Sequence, residues 1–184
     1  MAELTFAQSE RRSFLVPGLR ALATLVAAFF VFSHFFPSAA IEVQHVRTNL
    51  LPTHTVYKSQ SIVLGPDQAQ DVLFVATTVR VENKLRMPIS LDGFTLTMLN
   101  PEGAELTARA IQKQDLASVE LSFPALRPLT GVPLLPETSI APGQSVEGTL
   151  LFSLQAPQAV WNTRKSAAVR IDLYHQPSAS VPIP

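Results

Sequence analysis

The chain has 184 residues, equal numbers of basic and acidic residues, and no cysteine. A formal net charge of zero argues against a nucleic-acid or polyanion partner, because such binding depends on concentrated positive charge. The lack of cysteine excludes disulfides, thiolate chemistry and cysteine metal sites. Fifteen prolines and seven glycines are many for a helical protein and favour short strands joined by turns.

The first predicted element is an apolar segment over residues 14–36, which follows a short polar leader over residues 1–13. Residues 21–36 carry no formal charge, and Arg11 and Arg12 lie just before the segment. As a helix the segment spans roughly 34 Å, enough to cross a hydrocarbon core of about 30 Å. The basic flank favours a cytoplasmic N-terminus. We therefore predict a single-pass anchor in a bacterial inner membrane, partnered by the lipid bilayer, with a periplasmic or extracytoplasmic C-terminal domain.

Two other interpretations of this segment stay open. Residues 38–40 are the small residues that a signal peptidase prefers, so the segment also fits a signal peptide cleaved after Ala40. Residues 11–15 resemble a twin-arginine export signal, although Glu10 and Val16 depart from its usual flanks. A buried helix of a soluble domain is the weaker alternative, because the segment is apolar on all sides.

Residues 71–83 show the clearest strand pattern in the chain. Their β-branched and aliphatic side chains alternate between two faces with a period of two, as a half-buried antiparallel strand requires. In the next apolar stretch the parity changes after Leu91, since the apolar residues then occupy even positions from Phe94 onwards. One extra residue at Asp92–Gly93 restores a common face, so the sequence predicts a β-bulge there.

Further strands and turns follow from the same alternation and from proline and glycine positions. Strands are predicted over residues 41–45, 54–64, 89–98, 105–111, 146–154 and 168–175, and turns over residues 49–53, 65–67, 100–103 and 141–144. Trp161 is predicted to pack over an end of the core, and residues 177–184 to form a proline-rich tail. Seven or eight short strands favour an all-β fold, an immunoglobulin-like antiparallel β-sandwich over residues 41–176, preceded by the single N-terminal transmembrane helix.

Two stretches carry a family resemblance. Residues 77–83, a strand ending in Asn83, are followed by residues 88–91 and by the turn at residues 100–103, and the turn at residues 140–148 opens a late strand. This order resembles bacterial immunoglobulin-like envelope domains of the LEA14/WHy-like or FxLYD/telokin-like type. The resemblance implies an accessory or binding role at the cell envelope and carries no catalytic residue to this chain.

Motifs for chemistry are absent or incomplete. The four histidines, His34, His45, His54 and His175, lack metal-ligand spacing. Pairing of adjacent predicted strands is the one arrangement expected to bring His45 and His54 together. The carboxylates Asp71, Glu82, Asp92, Glu120 and Asp172 form no obvious pair of the kind that a glycosidase needs. No nucleophile elbow and no phosphate-binding glycine loop is present. We therefore predict no enzyme activity, no cofactor and no metal.

Residues 112–142 contain five prolines interleaved with leucines, a composition that opposes regular strand or helix. Within this range lies the proline-leucine segment over residues 121–136. This segment is either a cover for an open edge or end of the sandwich, the favoured interpretation, or an apolar platform for a partner. The residues that would bind the partner are Leu121, Phe123, Leu126, Arg127, Leu129, Leu134 and Leu135.

The expected function is a membrane-tethered, non-enzymatic interaction module with a protein partner in the envelope. The first alternative is a cleaved periplasmic sandwich that binds a small apolar ligand in a pocket lined by Phe94, Phe123, Phe152 and Trp161. The second is an enzyme whose site residues lie on scattered loops. The oligomeric state and the identity of the partner do not follow from the sequence.

Overall fold

The computed structural model describes residues 15–35, 39–57 and 68–184, which divide into two compact units, Met1–Ser38 and Ala39–Pro184. The first unit contains helix α1, Leu15–Phe35. Its exposed large apolar side chains are Leu19, Leu22, Leu25, Val26, Phe29, Phe30 and Val31. Within the described ranges, no helix combines the length and the hydropathy needed to cross a membrane. The transmembrane prediction for residues 14–36 is therefore not supported by the structure.

The second unit is built from strands, with three short helices among its described residues. The strands are β1 Ile41–Tyr57, β2 Gln68–Asn83, β3 Ile89–Leu99, β4 Glu105–Arg109, β5 Ser139–Ile140, β6 Ser145–Leu154, β7 Ser166–Leu173 and β8 Gln176–Ile183. The helices are α2 Lys113–Ser122, α3 Arg127–Thr130 and α4 Gln158–Asn162, and a single 3-10 turn covers Pro124–Leu126.

These strands form two antiparallel sheets, as the alternation predicted. One sheet has the order β1-β2-β6, and the other has the order β4-β3-β7-β8, with β5 paired to the start of β3. Alternate side chains of both sheets point into one shared core. Its largest fully buried members include Phe152, Leu73, Leu91, Leu96, Met98 and Ile171. The prediction of an antiparallel β-sandwich is confirmed.

The predicted β-bulge lies where the parity of the sequence changes. The register between β3 and β7 shifts between Leu91 and Gly93. Because the bulge adds one residue, Leu91 and Phe94 both face the core, and both are buried.

Asn83, at the end of β2, joins three parts of the second unit. Its side-chain amide donates hydrogen bonds to the carbonyl oxygens of Met87 (2.8 Å) and Ile140 (2.9 Å), and its Oδ1 accepts one from the Leu85 N–H (2.8 Å). The side chain is fully buried, so all of its polar atoms depend on these protein partners.

The main chain of Asn83 contacts the predicted turn at residues 141–144. The Asn83 N–H donates to the carbonyl of Gln144 (2.9 Å), and the Gly143 N–H donates to the carbonyl of Asn83 (3.1 Å). Gly143 has a φ of 68°, which favours glycine. The strand ending in asparagine and the late turn, which carried the family resemblance, are therefore hydrogen-bonded to each other.

The predicted turn over residues 49–53 is wrong, because β1 runs without interruption through Pro52, which pairs with Leu73. Proline is tolerated there since β1 lies at the edge of its sheet and a residue without an N–H can face away from the ladder. The predicted turn at residues 65–67 and much of the predicted strand 54–64 lie outside the described residues.

The proline-rich tail predicted over residues 177–184 is also wrong. These residues belong almost entirely to β8, which pairs with β7, and Val181 and Ile183 are buried in the core. Both prolines of the strand, Pro177 and Pro182, are exposed on an edge strand, where a missing N–H is tolerated.

The expectation that residues 112–142 lack regular structure is wrong, most clearly in their first part; beyond it, only the short elements at residues 124–130 and 139–140 are regular. Helix α2 occupies Lys113–Ser122, ahead of the first proline of the segment at Pro124. Proline disrupts a helix that runs through it, but the helix over residues 113–122 ends before Pro124, so no proline lies inside it.

Trp161 lies in α4 and is buried at the edge of the main core, which confirms its predicted packing role. The Arg164 guanidinium stacks 4.2 Å from the centre of the Trp161 ring system and donates to the Trp161 carbonyl (2.8 Å). It also donates to the main-chain oxygen of Pro184, next to β8. Partial burial lowers the pKa of Arg164 from its ordinary value.

Candidate functional site

The seven residues predicted to bind a partner divide between interior and surface. Leu126 is fully buried and Leu134 is 6% exposed, so neither side chain is accessible to a partner. Leu121 is 70% exposed, and Arg127 is exposed as well. Phe123, Leu129 and Leu135 are half-buried. The segment is therefore used largely by the fold itself.

A second apolar cluster explains the burial of Leu126, whereas Leu134 belongs to the main core. The second cluster forms on the outer face of the three-stranded sheet, where Leu126 packs against Phe74, Ala76 and Leu151. The Phe123 ring lies 4.9 Å from the Phe74 ring, centre to centre. Because the main core lies on the other face, the middle of this sheet is buried on both sides. Residues 73–79 of β2 are accordingly buried without interruption.

The same region of the chain closes the outer edge of β6. The Leu134 N–H donates to the Thr149 carbonyl (3.0 Å), and the Thr149 N–H donates to the Val132 carbonyl (2.8 Å). Further along the edge, the Ile111 N–H donates to the Leu151 carbonyl (2.7 Å). These bonds occupy main-chain groups that an unpaired edge would present to another strand. The cover interpretation thus fits the observed packing, on a sheet face as well as on an edge.

Strand β1 lies at the opposite edge of this sheet and is not closed in the same way. Within the described ranges, β1 pairs with β2 alone, along every one of its residues except Val46. Its register shifts between His45 and Arg47, which leaves Val46 unpaired and 47% exposed. From Arg47 to Pro52 the register with β2 is continuous, and no second strand of the described residues pairs with the other side of β1. Residues 48–51 are half-buried, and β8 of the other sheet passes close to β1 without pairing with it.

The other edges of the sandwich are better protected. Strand β8 has two prolines in its eight residues, and proline cannot donate to an added strand. Strand β4 has only five residues. Among the described residues, β1 is therefore the longest edge strand that pairs on one side only, and we call its other side the open edge.

The histidines do not assemble a site. The expectation that His45 and His54 lie on adjacent strands is wrong, because both belong to β1. His45 Nε2 lies 2.9 Å from Thr48 Oγ1, and His54 Nδ1 lies 2.7 Å from Asp71 Oδ1 on β2. His175 packs against the Tyr174 ring, with the ring centres 4.2 Å apart. The described residues hold no group of three or more side chains of metal-binding type.

Most of the carboxylates considered as candidates have a basic or hydroxyl partner. Asp71 pairs with His54, Glu82 with Lys84, Glu120 with Thr130, and Asp172 with Arg170. Asp92 has no such partner within the described ranges. The partners are spread over both sheets and the cover segment, so no facing pair of carboxylates arises.

A small ion-pair network lies at the end of the β1–β2 pairing. Lys84 Nζ contacts Glu42 Oε2 at 2.8 Å and Glu82 Oε1 at 2.7 Å. The Lys84 hydrogen bond, followed by that of Gln44, lowers the pKa of Glu42 from its ordinary 4.5. The hydrogen bonds from Lys84 to Glu42 and Glu82 raise the pKa of Lys84 above 10.5. Both side chains are solvent-exposed, so solvent weakens this network.

The outer face of the four-strand path β4-β3-β7-β8 carries two shallow polar hollows that share three residues. One has a volume of about 280 Å3 and the other of about 300 Å3. The shared residues are Thr95, Arg109 and Arg170. A polar hollow of this kind suits a small charged ligand better than an apolar one.

The apolar pocket considered as an alternative does not form. Phe94, Phe152 and Trp161 belong to the main core, between the sheets. Phe123 packs in the second cluster, on the outer face of the three-stranded sheet. The sheet itself therefore separates Phe123 from the other three side chains.

Taken together, these features define an all-β sandwich protein with one covered sheet face, one closed edge and one open edge. No family model matches the chain. No curated protein matches it either.

Among solved structures, an uncharacterised β-sandwich protein from Clostridium difficile is 10% identical, with a TM-score of 0.36 over 81% of this chain and 89% of that chain. A conserved hypothetical protein from Bacillus anthracis is 7% identical, with a TM-score of 0.29 over 78% of this chain and 99% of that chain. The sandwich assignment therefore rests on the strand pairing of this chain itself.

Sequence reasoning missed two features of the surface. The open edge of β1 was hidden because the proline at position 52 suggested a turn. Arg109 and Arg170 both fall on outward positions of predicted strands, so their exposure followed from parity. Their proximity did not, because it depends on β3 lying between β4 and β7.

Proposed function

We propose that this protein is a non-enzymatic interaction module of a bacterial cell envelope that binds an extended segment of a partner protein along the open edge of β1. One observation carries the proposal: among the described residues β1 is paired on one side only, while the edge of β6 is closed by hydrogen bonds with residues 111, 132 and 134. Because the edge of β6 is already hydrogen-bonded, an added strand from a partner is expected to pair with β1.

Strand addition suits the chemistry of this edge. Main-chain hydrogen bonds supply affinity, and alternate side chains supply specificity. Between the bulge at Val46 and Pro52 the edge offers a regular stretch bounded by two features that stop pairing. Those boundaries limit the added strand to a few residues and protect the rest of β1 from aggregation.

The strand order supports the immunoglobulin-like part of the proposal. The first, second and sixth strands share one sheet, and the third, seventh and eighth share the other. Immunoglobulin domains place their strands A, B and E against C, F and G in the same way. The resemblance to LEA14/WHy-like or FxLYD/telokin-like envelope domains points in the same direction and to the same accessory role.

The location is part of the proposal and is supported by the sequence. The basic pair Arg11–Arg12 and the uncharged residues 21–36 are typical of a segment that directs export, as an anchor or as a signal removed after Ala40. An anchor would keep the sandwich close to the membrane and raise its effective concentration there. Either form delivers the second unit outside the cytoplasm.

Site-specific photocrosslinking in the host cell tests the proposed edge. A photoreactive phenylalanine analogue at position 46, at the bulge, is expected to give one discrete adduct with a partner protein. The same analogue at position 174, where Tyr174 is 63% exposed in the turn between β7 and β8, is the matched control and is expected to give none. Equal adducts at both positions would contradict recognition through β1.

Single proline substitutions separate edge pairing from folding. Successive N–H groups along a strand point to opposite edges, so one of Thr48→Pro and Asn49→Pro disrupts pairing with β2 and the other blocks only an added strand. The variant that keeps the unfolding midpoint of the wild type is expected to lose the adduct at position 46. Retention of that adduct in a folded proline variant would overturn the proposal.

Cell fractionation with sequencing of the mature N-terminus tests the location. An intact chain in the membrane fraction supports the anchor, and a chain that begins at Ile41 in the periplasmic fraction supports the cleaved signal. An intact chain recovered with cytoplasmic proteins would contradict export altogether.

A further inference from the structure

The centre of the outer polar face is a row of three residues in register across three strands. Thr95 of β3 pairs with Arg109 of β4 on one side and with Arg170 of β7 on the other. All three lie on the face opposite the core, because their neighbours Phe94 and Leu96 are buried inward. With strands about 4.8 Å apart, the two arginines start roughly 10 Å from each other, within reach of one small ligand.

Arg170 is already neutralised by its own strand. Its Nε lies 3.1 Å from Asp172 Oδ1, and its Nη2 lies 3.5 Å from Asp172 Oδ2. Across the ladder Asp172 faces Gly93, and a Cβ at that position would stand 3.8 Å from its Oδ2. Because Gly93 has no side chain to cover it, the Arg170–Asp172 ion pair faces the hollow. This pair forms the base of the hollow and carries no net charge.

Arg109 and Asp92 differ from that pair. Both line the hollow of about 280 Å3, and both are exposed. In the described parts of the chain, neither side chain has a hydrogen bond or an ion pair. The hollow therefore presents one unpartnered cation and one unpartnered anion around a neutral floor. Glu105 lines only the neighbouring hollow, beyond Arg109.

The walls and the size restrict the ligand further. Ile111, Leu134 and Pro136 add apolar surface to one side of the hollow. Its volume lies at or below the lower end of the range of small-molecule sites. A ligand of few heavy atoms, with opposite charges at its two ends and a short apolar body, would pair with both Arg109 and Asp92 and contact the apolar wall.

The geometry points to a binding site for a small zwitterion, with its carboxylate on Arg109 and its ammonium group on Asp92. This site lies on the sheet that does not contain β1 and is independent of the proposed partner edge. The Arg109 guanidinium offers paired N–H groups that match a carboxylate, while Asp92 accepts hydrogen bonds from an ammonium group. Thr95 and the Arg170–Asp172 pair supply polar contacts between the two ends.

A graded series of ω-amino acids measures both the affinity and the charge separation. Glycine, β-alanine, 4-aminobutyrate and 6-aminohexanoate are titrated into the purified full-length protein, with backbone NMR shifts of residues 92–95, 109 and 170 as the readout. Acetate and methylammonium serve as single-charge probes. One member of the series is expected to bind about tenfold or more tightly than either single-charge probe, because it makes both charged contacts.

Two substitutions separate the contacts. In Arg109→Gln the preferred amino acid is expected to bind no more tightly than methylammonium does to the wild type. In Asp92→Asn it is expected to bind no more tightly than acetate. Arg80→Gln, which removes an arginine paired with Glu147 on the other sheet, is the matched control and is expected to leave affinity unchanged.

Two results would overturn the site. One is a series in which every zwitterion binds like acetate, and the other is unchanged affinity in folded Arg109→Gln and Asp92→Asn proteins. Both substituted residues are exposed, so unfolding is not expected to obscure the result.

Discussion

Asn83 shows how one buried amide can hold several turns of the chain in place. Its side chain makes three hydrogen bonds, at 2.8, 2.9 and 2.8 Å, to the main chain of Met87, Ile140 and Leu85. Replacement by alanine removes the partner of the buried Ile140 carbonyl and of the part-buried Met87 carbonyl and Leu85 N–H. We expect Asn83→Ala to lower the free energy of unfolding by about 3 kcal/mol, measured by urea denaturation of the full-length protein.

The isosteric change Asn83→Asp separates shape from hydrogen bonding. It keeps the volume but cannot donate to Met87 and Ile140, so it is expected to destabilise the protein in the same direction. Asn162→Ala, at an exposed position in α4, is the matched control and should stay within about 0.5 kcal/mol of the wild type. A wild-type midpoint for Asn83→Ala would contradict this role.

Gly148 is required by a close approach of two chain segments. A Cβ at this position would lie 2.8 Å from Leu134 Cβ and 2.9 Å from Leu134 N, closer than real contacts allow. The Leu134 backbone cannot move away without breaking its hydrogen bond to Thr149. We expect Gly148→Ala to destabilise the protein by about 1–3 kcal/mol in the same urea assay.

Gly93 provides a comparison at a glycine without that crowding. An added Cβ there would stand 3.8 Å from Asp172, an ordinary contact, and Gly93→Ala is expected to change stability by less than about 1 kcal/mol. Equal destabilisation by Gly93→Ala and Gly148→Ala would show that loss of glycine, and not the Leu134 contact, is responsible.

At the scale of elements, Lys84 ties β1 to the end of β2 by charge. Glu42 has a lowered pKa in the folded protein. Its contribution to the free energy of unfolding is therefore complete above about pH 4.5 and is lost as the pH falls through the lowered pKa. Lys84 has a raised pKa, so its contribution is complete below about pH 10.5 and is lost as the pH rises through the raised value. Lys84→Gln is therefore expected to lower the unfolding midpoint slightly near pH 7.

That difference should shrink as the pH falls below 4.5 and as salt is added, since the groups are exposed. Lys113→Gln removes an exposed lysine that has no ion pair among the described residues, and it serves as the control. A Lys84→Gln effect that is the same at pH 3 and pH 7 would show that the ion pairs are not its cause.

Alternation in the sequence located strands but did not always show how many of their faces are buried. The parity change at Asp92–Gly93 could be predicted because each side chain of β3 meets either core or surface. The strand from Leu73 to Val81 was predicted as half-buried, but its residues 73–79 are buried on both faces. Predictions failed where proline lies on an edge, as at Pro52 and Pro182, since edge strands tolerate a residue that central strands do not.

Helix α2 was missed for a different reason. It has no buried residue of its own and little amphipathic pattern, so periodicity gave no indication of it. What holds this region is the following turn, where Leu126 and Phe123 pack on Phe74. Such packing on the outer face of a sheet becomes visible only once the two faces of β2 are both known to be buried.

The cover can be tested at its anchor. Leu126 is fully buried, so Leu126→Ala leaves a cavity on the outer face of the sheet and is expected to cost about 2–5 kcal/mol of stability. Leu121→Ala, five residues earlier and 70% exposed, should stay within about 0.5 kcal/mol. Equal and small effects of both changes, measured by thermal unfolding, would rule out Leu126 as the anchor of the cover.

At the scale of the whole molecule, the candidate surfaces were less predictable than the sandwich. Which residues face outward follows from alternation, but which outward residues are neighbours follows from strand order. Arg109 and Arg170 are 61 positions apart in the sequence. They lie near each other only because their strands, β4 and β7, pair with the two sides of β3. The open edge of β1 likewise exists only because other segments close the edge of β6.

The two apolar clusters imply that the molecule opens in two steps. The main core joins both sheets through many fully buried residues, whereas the outer cluster has four buried members and α2 contributes none of them. Elements with few buried contacts open at a lower free energy than the global unfolding.

Native-state hydrogen exchange should therefore give a lower opening free energy for residues 113–122 than for residues 75–79 of β2. Leu126→Ala should lower the α2 opening energy more than that of β7, and Leu121→Ala should change neither. Equal protection of α2 and β2 would mean that cover and sandwich unfold as a single unit.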